Sequence, residues 1–148
     1  MARAMKVAIV DDEADMRQSI SQWLALSGFD TETYASAEEA LKVIGPDFQG
    51  VVVSDIKMPG MDGMAFLKRL MGQDSGLPVI MITGHGDVPM AVEAMRMGAF
   101  DFIAKPLSRI DLRARVERAF RDRGGGASGA VRRPRKSDVI IGAGPWLT

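Results

Sequence analysis

The chain has 148 residues, of which 47% are hydrophobic and 26% are charged, a composition typical of one globular domain. It contains no cysteine and a single histidine, which excludes a disulfide framework and a thiolate metal site and argues against a zinc site. No apolar run reaches the roughly 18 to 20 residues of a membrane span, and the N-terminus lacks a signal-peptide pattern. We therefore expect a cytoplasmic protein.

The net charge of zero conceals two regions of opposite sign. Residues 1–112 carry 10 Lys or Arg and 16 Asp or Glu, whereas residues 113–136 carry 9 and 2. The basic stretch is either a solvated helix face followed by a linker or a surface that binds a partner.

Five apolar runs of strand length alternate along the chain with segments of helical periodicity. The runs cover residues 5–10, 31–34, 51–54, 79–82 and 101–104. In the first helical segment, apolar residues recur at i, i+4, i+7 and i+8, namely Met16, Ile20, Trp23 and Leu24. The alternation predicts an α/β fold, a doubly wound five-stranded parallel sheet with five helices.

Several residues indicate where helices begin and end. Gly28 and Gly98 are expected to terminate the first and fourth helices, and Ser36 with Glu39 forms a predicted capping box. The three glycines at 124–126 are expected to break the last helix. We therefore assign residues 1–122 to one domain, 123–138 to a flexible basic linker and 139–148 to a tail.

Polar side chains follow four of the five predicted strands. Asp11 and Asp12 end the first strand, Asp55 the third, Thr83 the fourth and Lys105 the fifth. Because ligands bind at the carboxyl ends of strands in an open parallel sheet, we expect these side chains to form one site.

Carboxylates gathered in this way repel one another and require a cation. Oxygen ligands without His or Cys fit Mg²⁺ best, and Asp55 could then accept a phosphoryl group as an aspartyl phosphate. Lys105 could pair with Asp55 or with phosphate, and Thr83 could donate a hydrogen bond. Singly, these residues have simpler interpretations, since Asp11 or Asp12 could cap a helix and Thr83 could be a turn residue. Their occurrence at four strand ends favours the site.

The residues at this edge resemble a known family. The combination of Asp11-Asp12, Asp55 with Met58-Pro59-Gly60, Thr83-Gly84 and Lys105-Pro106 is similar to the receiver domain of bacterial two-component response regulators. The resemblance covers about residues 5–122. It implies a flavodoxin-like receiver fold and a sensor histidine kinase as the phosphodonor.

The resemblance also implies a role for each residue of the site. Asp55 is the implied phosphoacceptor, and Mg²⁺ is held by Asp12 directly, by Asp11 through water, by Asp55 and by the Lys57 backbone carbonyl. The phosphoryl group is contacted by Thr83 and Lys105, and the Lys105–Pro106 bond is cis. Thr83 acts as a switch residue, and Phe102 is either a second switch residue or part of the core.

Residues 83–106 are most similar to the receivers of sigma-54-dependent transcriptional activators, of the C4-dicarboxylate-transport and nitrogen-regulation types. In those proteins an AAA+ ATPase domain and a DNA-binding domain follow, and residues 140–145 resemble the start of such an ATPase. DNA would then be bound only through downstream domains. We also expect a homodimer through the face formed by the fourth helix, the fifth strand and the fifth helix.

Two alternatives use the same residues differently. A Mg²⁺-dependent phosphohydrolase with an aspartyl nucleophile usually carries a second acid close after the nucleophile, where this chain has Lys57. A nucleic-acid binder could use the basic cluster at 132–136, but the acidic body argues against it. We therefore predict a phosphorylation switch that catalyses only its own phosphorylation and dephosphorylation.

Overall fold

The computed structural model describes residues 5–84 and 87–127, in which five strands alternate with five helices. In chain order the elements are β1 (Lys6–Val10), α1 (Ala14–Leu26), β2 (Asp30–Tyr34), α2 (Ala37–Leu41), β3 (Val51–Asp55), α3 (Gly63–Gln73), β4 (Val79–Thr83), α4 (Val88–Met97), β5 (Asp101–Ala104) and α5 (Arg109–Ala127). Within these residues, no helix combines the length and the apolar character that a bilayer span requires.

All five strands pair in parallel in the order β2-β1-β3-β4-β5. Val10 pairs with Ser54, and Asp55 pairs with Ile82, so the strand ends lie level at one edge. The strand order reverses between β1 and β3, and the crevice at such a reversal is where this type of sheet binds ligands. The predicted doubly wound, flavodoxin-like sheet is confirmed.

Two apolar clusters cover the two faces of the sheet. Alternate strand residues such as Ile9, Val53 and Ile80 pack against α1 and α5, whereas their neighbours, including Val52 and Met81, pack against α2, α3 and α4. The central strands β3 and β4 are buried along their whole length. Burial on both faces explains why these strands read as continuous apolar runs rather than as alternating ones.

The helix ends follow the sequence signals closely. Gly28 lies two residues after α1 and Gly98 directly after α4, and both adopt left-handed backbone angles, with φ of 96° and 117°. The Ser36 hydroxyl accepts a hydrogen bond from the Glu39 backbone N–H at 3.1 Å. The Glu39 carboxylate accepts instead from the N–H of Ala35, so only half of the predicted capping box forms.

The end of α5 differs from the prediction. The helix continues through the glycines at 124–126 to Ala127, so the expectation that they break it is wrong. Each glycine costs about 1 kcal/mol relative to alanine, but extending an existing helix needs no new nucleation. The preceding turn is also anchored, because the Arg123 guanidinium donates to the Asp74 carboxylate at 2.9 Å and to the Phe48 and Gly76 carbonyls. The remainder of the predicted linker, and the tail, lie outside the described residues.

Candidate functional site

Three carboxylates meet at the crevice between β1 and β3. Asp11 and Asp12 directly follow β1, and Asp55 is the last residue of β3. One oxygen of each lies within 4.8 Å of the others, with Asp11 and Asp55 buried and Asp12 exposed. The N-cap of α1 is Glu13, so neither Asp11 nor Asp12 is the helix cap that the simpler interpretation required.

The Asp11 carboxylate is only partly satisfied. Its Oδ1 atom accepts from the Glu13 backbone N–H at 2.9 Å, whereas its buried Oδ2 atom has no hydrogen-bond partner in the described part of the chain. Burial raises the pKa of Asp11 to about 6, and the Asp55 charge adds to that effect against the Glu13 hydrogen bond. A buried oxygen without a donor, beside two further carboxylates, fits a hard divalent cation such as Mg²⁺.

Lys105 brings a positive charge to the cluster. Its ammonium nitrogen lies 3.3 Å from the Asp55 Oδ2 atom. The backbone N–H of Lys105 donates to the Thr83 carbonyl at 2.8 Å, and the Lys105–Pro106 bond is cis. Burial by itself lowers the pKa of Lys105, but the Asp55 charge and hydrogen bond outweigh it and raise the pKa above its ordinary value.

Thr83 is the last residue of β4 and is fully buried. Among residues 5–84 and 87–127, its hydroxyl oxygen finds no hydrogen-bond partner. A buried hydroxyl in this condition costs free energy, and a new acceptor at the end of the neighbouring strand would relieve it. The structure thus brings Thr83 to the same sheet edge as the acids.

The turn after β3 is held at several points. The Lys57 backbone N–H faces the Asp55 Oδ1 atom at 3.4 Å. The Glu38 carboxylate of α2 accepts from the Met61 N–H at 3.0 Å, next to Gly60, whose φ is 74°. These contacts fix the backbone at the position where the resemblance places a metal-binding carbonyl.

Phe102 is the second residue of β5. Its half-buried ring packs against the cluster beneath α2, α3 and α4. Its backbone carbonyl accepts from Arg115, which also pairs with Asp101 at 2.8 Å. The core contact is therefore real, and the switch role of Phe102 stays a prediction.

Two polar residues at the site, Asp87 and Arg17, were not identified from the sequence, nor was the role of the Lys57 ammonium. The Lys57 ammonium lies 3.2 Å from an oxygen of Asp87, and the other Asp87 oxygen accepts from the Gly84 N–H at 3.3 Å. Arg17 donates to the Asp11 carbonyl at 2.7 Å. The available signals were an acid just before the fourth predicted helix, Asp87, and an arginine in the first turn of the first helix, Arg17. Both look like ordinary residues of a helix end.

The chain is similar to known proteins in both sequence and fold. Residues 7–117 match the response regulator receiver domain family. The chain is 50% identical over 108 residues to the C4-dicarboxylate transport transcriptional regulatory protein DctD of Rhizobium meliloti, covering 73% of this chain and 24% of that protein. It is 44% identical over 115 residues to the transcriptional regulatory protein FixJ of Bradyrhizobium diazoefficiens, covering 78% and 56%.

Among solved structures, the receiver domain of NtrX from Brucella abortus superposes with a TM-score of 0.74 at 40% identity, covering 77% of this chain and 97% of that one. The chain spans about a quarter of the length of DctD. The family match covers most of the described residues and includes every strand-end residue of the site. The chain belongs to the response regulator receiver domain family.

Proposed function

We propose that this chain is the phosphoacceptor unit of a cytoplasmic transcriptional regulator, and that a sensor histidine kinase transfers a phosphoryl group to Asp55. The observation that carries the proposal is the Asp11–Asp12–Asp55 cluster with the Lys105 ammonium 3.3 Å from Asp55. Acids and a lysine from three separate strand ends serve no purpose in packing, since apolar residues fill the core without them.

The chemistry follows from this arrangement. An Asp55 oxygen forms a bond to phosphorus while the bond from phosphorus to the donor nitrogen breaks, and the histidine leaves with the electron pair of that bond. The Lys105 ammonium, beside Asp55, can neutralise charge on the incoming phosphoryl oxygens, and the Thr83 hydroxyl, which has no partner within the described residues, can donate to one of them. The chain thereby promotes only its own phosphorylation and its later hydrolysis, by positioning and electrostatics.

Mg²⁺ would be held by Asp11, Asp12, Asp55 and the Lys57 backbone carbonyl. When bound, the ion neutralises negative charge on the carboxylates and on the phosphoryl oxygens. The buried Asp11 oxygen that has no partner among the described residues supports this ligand set, because a cation would satisfy it.

The output is proposed to be a change in one face, formed by α4, β5 and α5. Within this face Arg115 already pairs with Asp101 at 2.8 Å and with Asp111 at 3.0 Å, so a two-fold contact can form by exchanging such pairs between chains. Moving an equilibrium from mostly one state to mostly the other takes about 5.5 kcal/mol of differential binding. Several charge-assisted hydrogen bonds to a phosphoryl group supply that amount. DNA binding is assigned only to other domains of the regulator.

The experiment is phosphorylation of the whole chain by acetyl phosphate with Mg²⁺, followed by intact-mass measurement. We expect one added phosphoryl group that is lost in alkali, and its absence in Asp55→Asn, because an amide is not a nucleophile here. Asp47→Asn, an exposed acid before β3, is the matched control and should label normally. Equal labelling of Asp55→Asn and wild type contradicts the proposal. Sustained turnover of a general phosphatase substrate would favour the phosphohydrolase instead.

A further inference from the structure

The Asp87 carboxylate connects two segments on either side of the acid site. One of its oxygens lies 3.2 Å from the Lys57 ammonium, and the other accepts from the Gly84 backbone N–H at 3.3 Å. Lys57 belongs to the turn after β3, and Gly84 directly follows β4. One side chain therefore joins the segments that follow the two central strands.

Asp87 does not have the usual role of an acid at its position. It is the N-cap residue of α4, where an aspartate normally accepts from a backbone N–H of the first helical turn. Its side chain makes no capping hydrogen bond and is nearly buried, with only 11% of it exposed. Its hydrogen bonding is directed toward Lys57 and Gly84 rather than toward the helix that it begins.

Both donors belong to residues next to the chemistry. The backbone N–H of Lys57 faces the Asp55 Oδ1 atom at 3.4 Å, so the residue that pairs with Asp87 also contacts the phosphoacceptor. Gly84 adjoins Thr83, whose buried hydroxyl has no partner in the part of the chain that the structure describes. A phosphoryl group on Asp55 would add acceptor oxygens at the end of β3, next to the residues that carry the two donors.

We propose that Asp87 is an internal competitor of the phosphoryl group. In the unphosphorylated protein its carboxylate occupies the Lys57 ammonium and the Gly84 N–H, and phosphorylation of Asp55 takes these donors from it. Losing both partners releases Asp87 and the start of α4, which links the acid site to the output face. This inference rests on the proposed function and names the bond exchange that couples the site to α4.

The test is a double-mutant cycle on the full chain, with beryllofluoride and Mg²⁺ as the phosphoryl mimic and calorimetry as the measurement. Asp87→Asn removes the competing charge, keeps the shape and leaves a good N-cap residue. We expect this variant to bind the mimic about three- to tenfold more tightly, the range of a coupled ion pair. Asp47→Asn, the same chemical change at the opposite edge of the sheet, should leave the affinity unchanged.

The second arm uses Lys57→Met, which keeps the backbone carbonyl that is proposed to bind Mg²⁺ and an unbranched side chain one atom shorter, but removes the charge. In the wild-type background, Lys57→Met should change the affinity for the mimic little, because its two effects oppose each other. It removes a donor to the mimic, but it also removes the Lys57–Asp87 ion pair that must break before the mimic is bound. In the Asp87→Asn background Lys57 is free to serve the mimic, so Lys57→Met should weaken binding clearly. If the effects of the two substitutions on mimic affinity are additive, Asp87 does not compete with the phosphoryl group for Lys57.

A third readout needs neither metal nor mimic. The Gly84 amide proton should move upfield and exchange faster in Asp87→Asn, because a charge-assisted hydrogen bond is replaced by a weaker one. An unchanged Gly84 signal together with unchanged mimic affinity rejects the inference while leaving the proposed function intact. If wild type does not bind the mimic at all, or Asp55→Asn binds it equally well, the proposed function itself fails.

Discussion

The Lys105 ammonium lies 3.3 Å from the Asp55 carboxylate, although fifty residues separate them in the chain. The backbone N–H of Lys105 bonds to the Thr83 carbonyl, so the lysine is held to the end of the intervening strand. This ion pair makes Lys105 both the neutralising charge of the metal-free site and a competitor of any cation that enters it.

Lys105→Met should therefore bind Mg²⁺ more tightly than wild type, by about three- to tenfold, because an ion pair worth about 1 kcal/mol no longer opposes the ion. The same variant should accept phosphoryl groups more slowly, since a donor to them is lost. Calorimetric titration with Mg²⁺ and the rate of labelling by acetyl phosphate measure the two effects. Lys68→Met, on the exposed side of α3, is the control. Weaker Mg²⁺ binding in Lys105→Met would contradict this account.

Mg²⁺ should raise the melting temperature of the wild-type protein, because it relieves repulsion among Asp11, Asp12 and Asp55. Asp12→Asn should abolish that increase and should raise the stability of the metal-free protein, since one of three crowded charges is gone. Asp15→Asn, an exposed acid in the first turn of α1, should retain the Mg²⁺ response. A thermal shift that persists in Asp12→Asn argues against this metal site.

Gly63 is the first residue of α3 and lies directly against the backbone of Asp55 and Ile56. A Cβ atom there would overlap the Asp55 carbonyl oxygen and the Ile56 Cα atom. Gly63→Ala should therefore destabilise the fold by about 1 to 3 kcal/mol, the usual cost of overpacking, and should reduce labelling of Asp55. The measurements are denaturant unfolding and intact mass.

The same helix supplies the control. No heavy atom of residues 5–84 or 87–127 would lie within 4 Å of a Cβ at Gly72, so Gly72→Ala should stabilise the protein by up to about 1 kcal/mol through helix propensity. If Gly63→Ala and Gly72→Ala change stability and labelling equally, the close contact of Gly63 with Asp55 has no influence on either.

Thr83→Val should separate phosphorylation from its consequence. It replaces a buried hydroxyl that has no partner within the described residues, so stability should be equal or higher, while labelling of Asp55 persists. The phosphorylation-dependent change in self-association should be lost, which sedimentation with and without beryllofluoride measures. Thr31→Val removes a hydroxyl bonded to Ser21 at 2.8 Å and should cost about 1 kcal/mol, but it should keep the response. A normal response in Thr83→Val would exclude Thr83 as the switch.

Tyr34 is the only tyrosine in the chain, so its ionisation can be followed directly by ultraviolet absorbance. Burial and a 2.8 Å hydrogen bond to Glu32 raise its pKa to about 12. The folded protein thus holds this proton more tightly than the unfolded chain. The resulting stability is complete below about pH 10 and is lost as the pH rises through 12. Glu32→Gln should lower the pKa toward 10, and Tyr34→Phe should remove the transition. A pKa near 10 in wild type would be evidence against the Glu32 contact.

Local patterns in the sequence were sufficient for most of the fold. The strands begin and end within one residue of their predicted limits, and Gly28, Ser36 and Gly98 act where expected. Hydrophobic periodicity and helix capping depend on neighbouring residues, so they can be read from the chain directly. The end of α5 could not be predicted in this way. It is anchored through contacts of Arg123 with Phe48, Asp74 and Gly76, which are distant in sequence.

The sequence by itself determined that acids, a hydroxyl and an ammonium stand at the ends of four strands, and that parallel strands bring their ends to one edge. Only the tertiary structure decided how those groups are paired. It joins Lys105 to Asp55, leaves one oxygen of Asp11 and the hydroxyl of Thr83 without partners in the described residues, and turns Asp87 away from its own helix toward Lys57. The physical reason is that periodicity specifies which face a residue occupies. Distances of 3 Å between side chains depend on strand order, register and the packing of helices from distant parts of the chain.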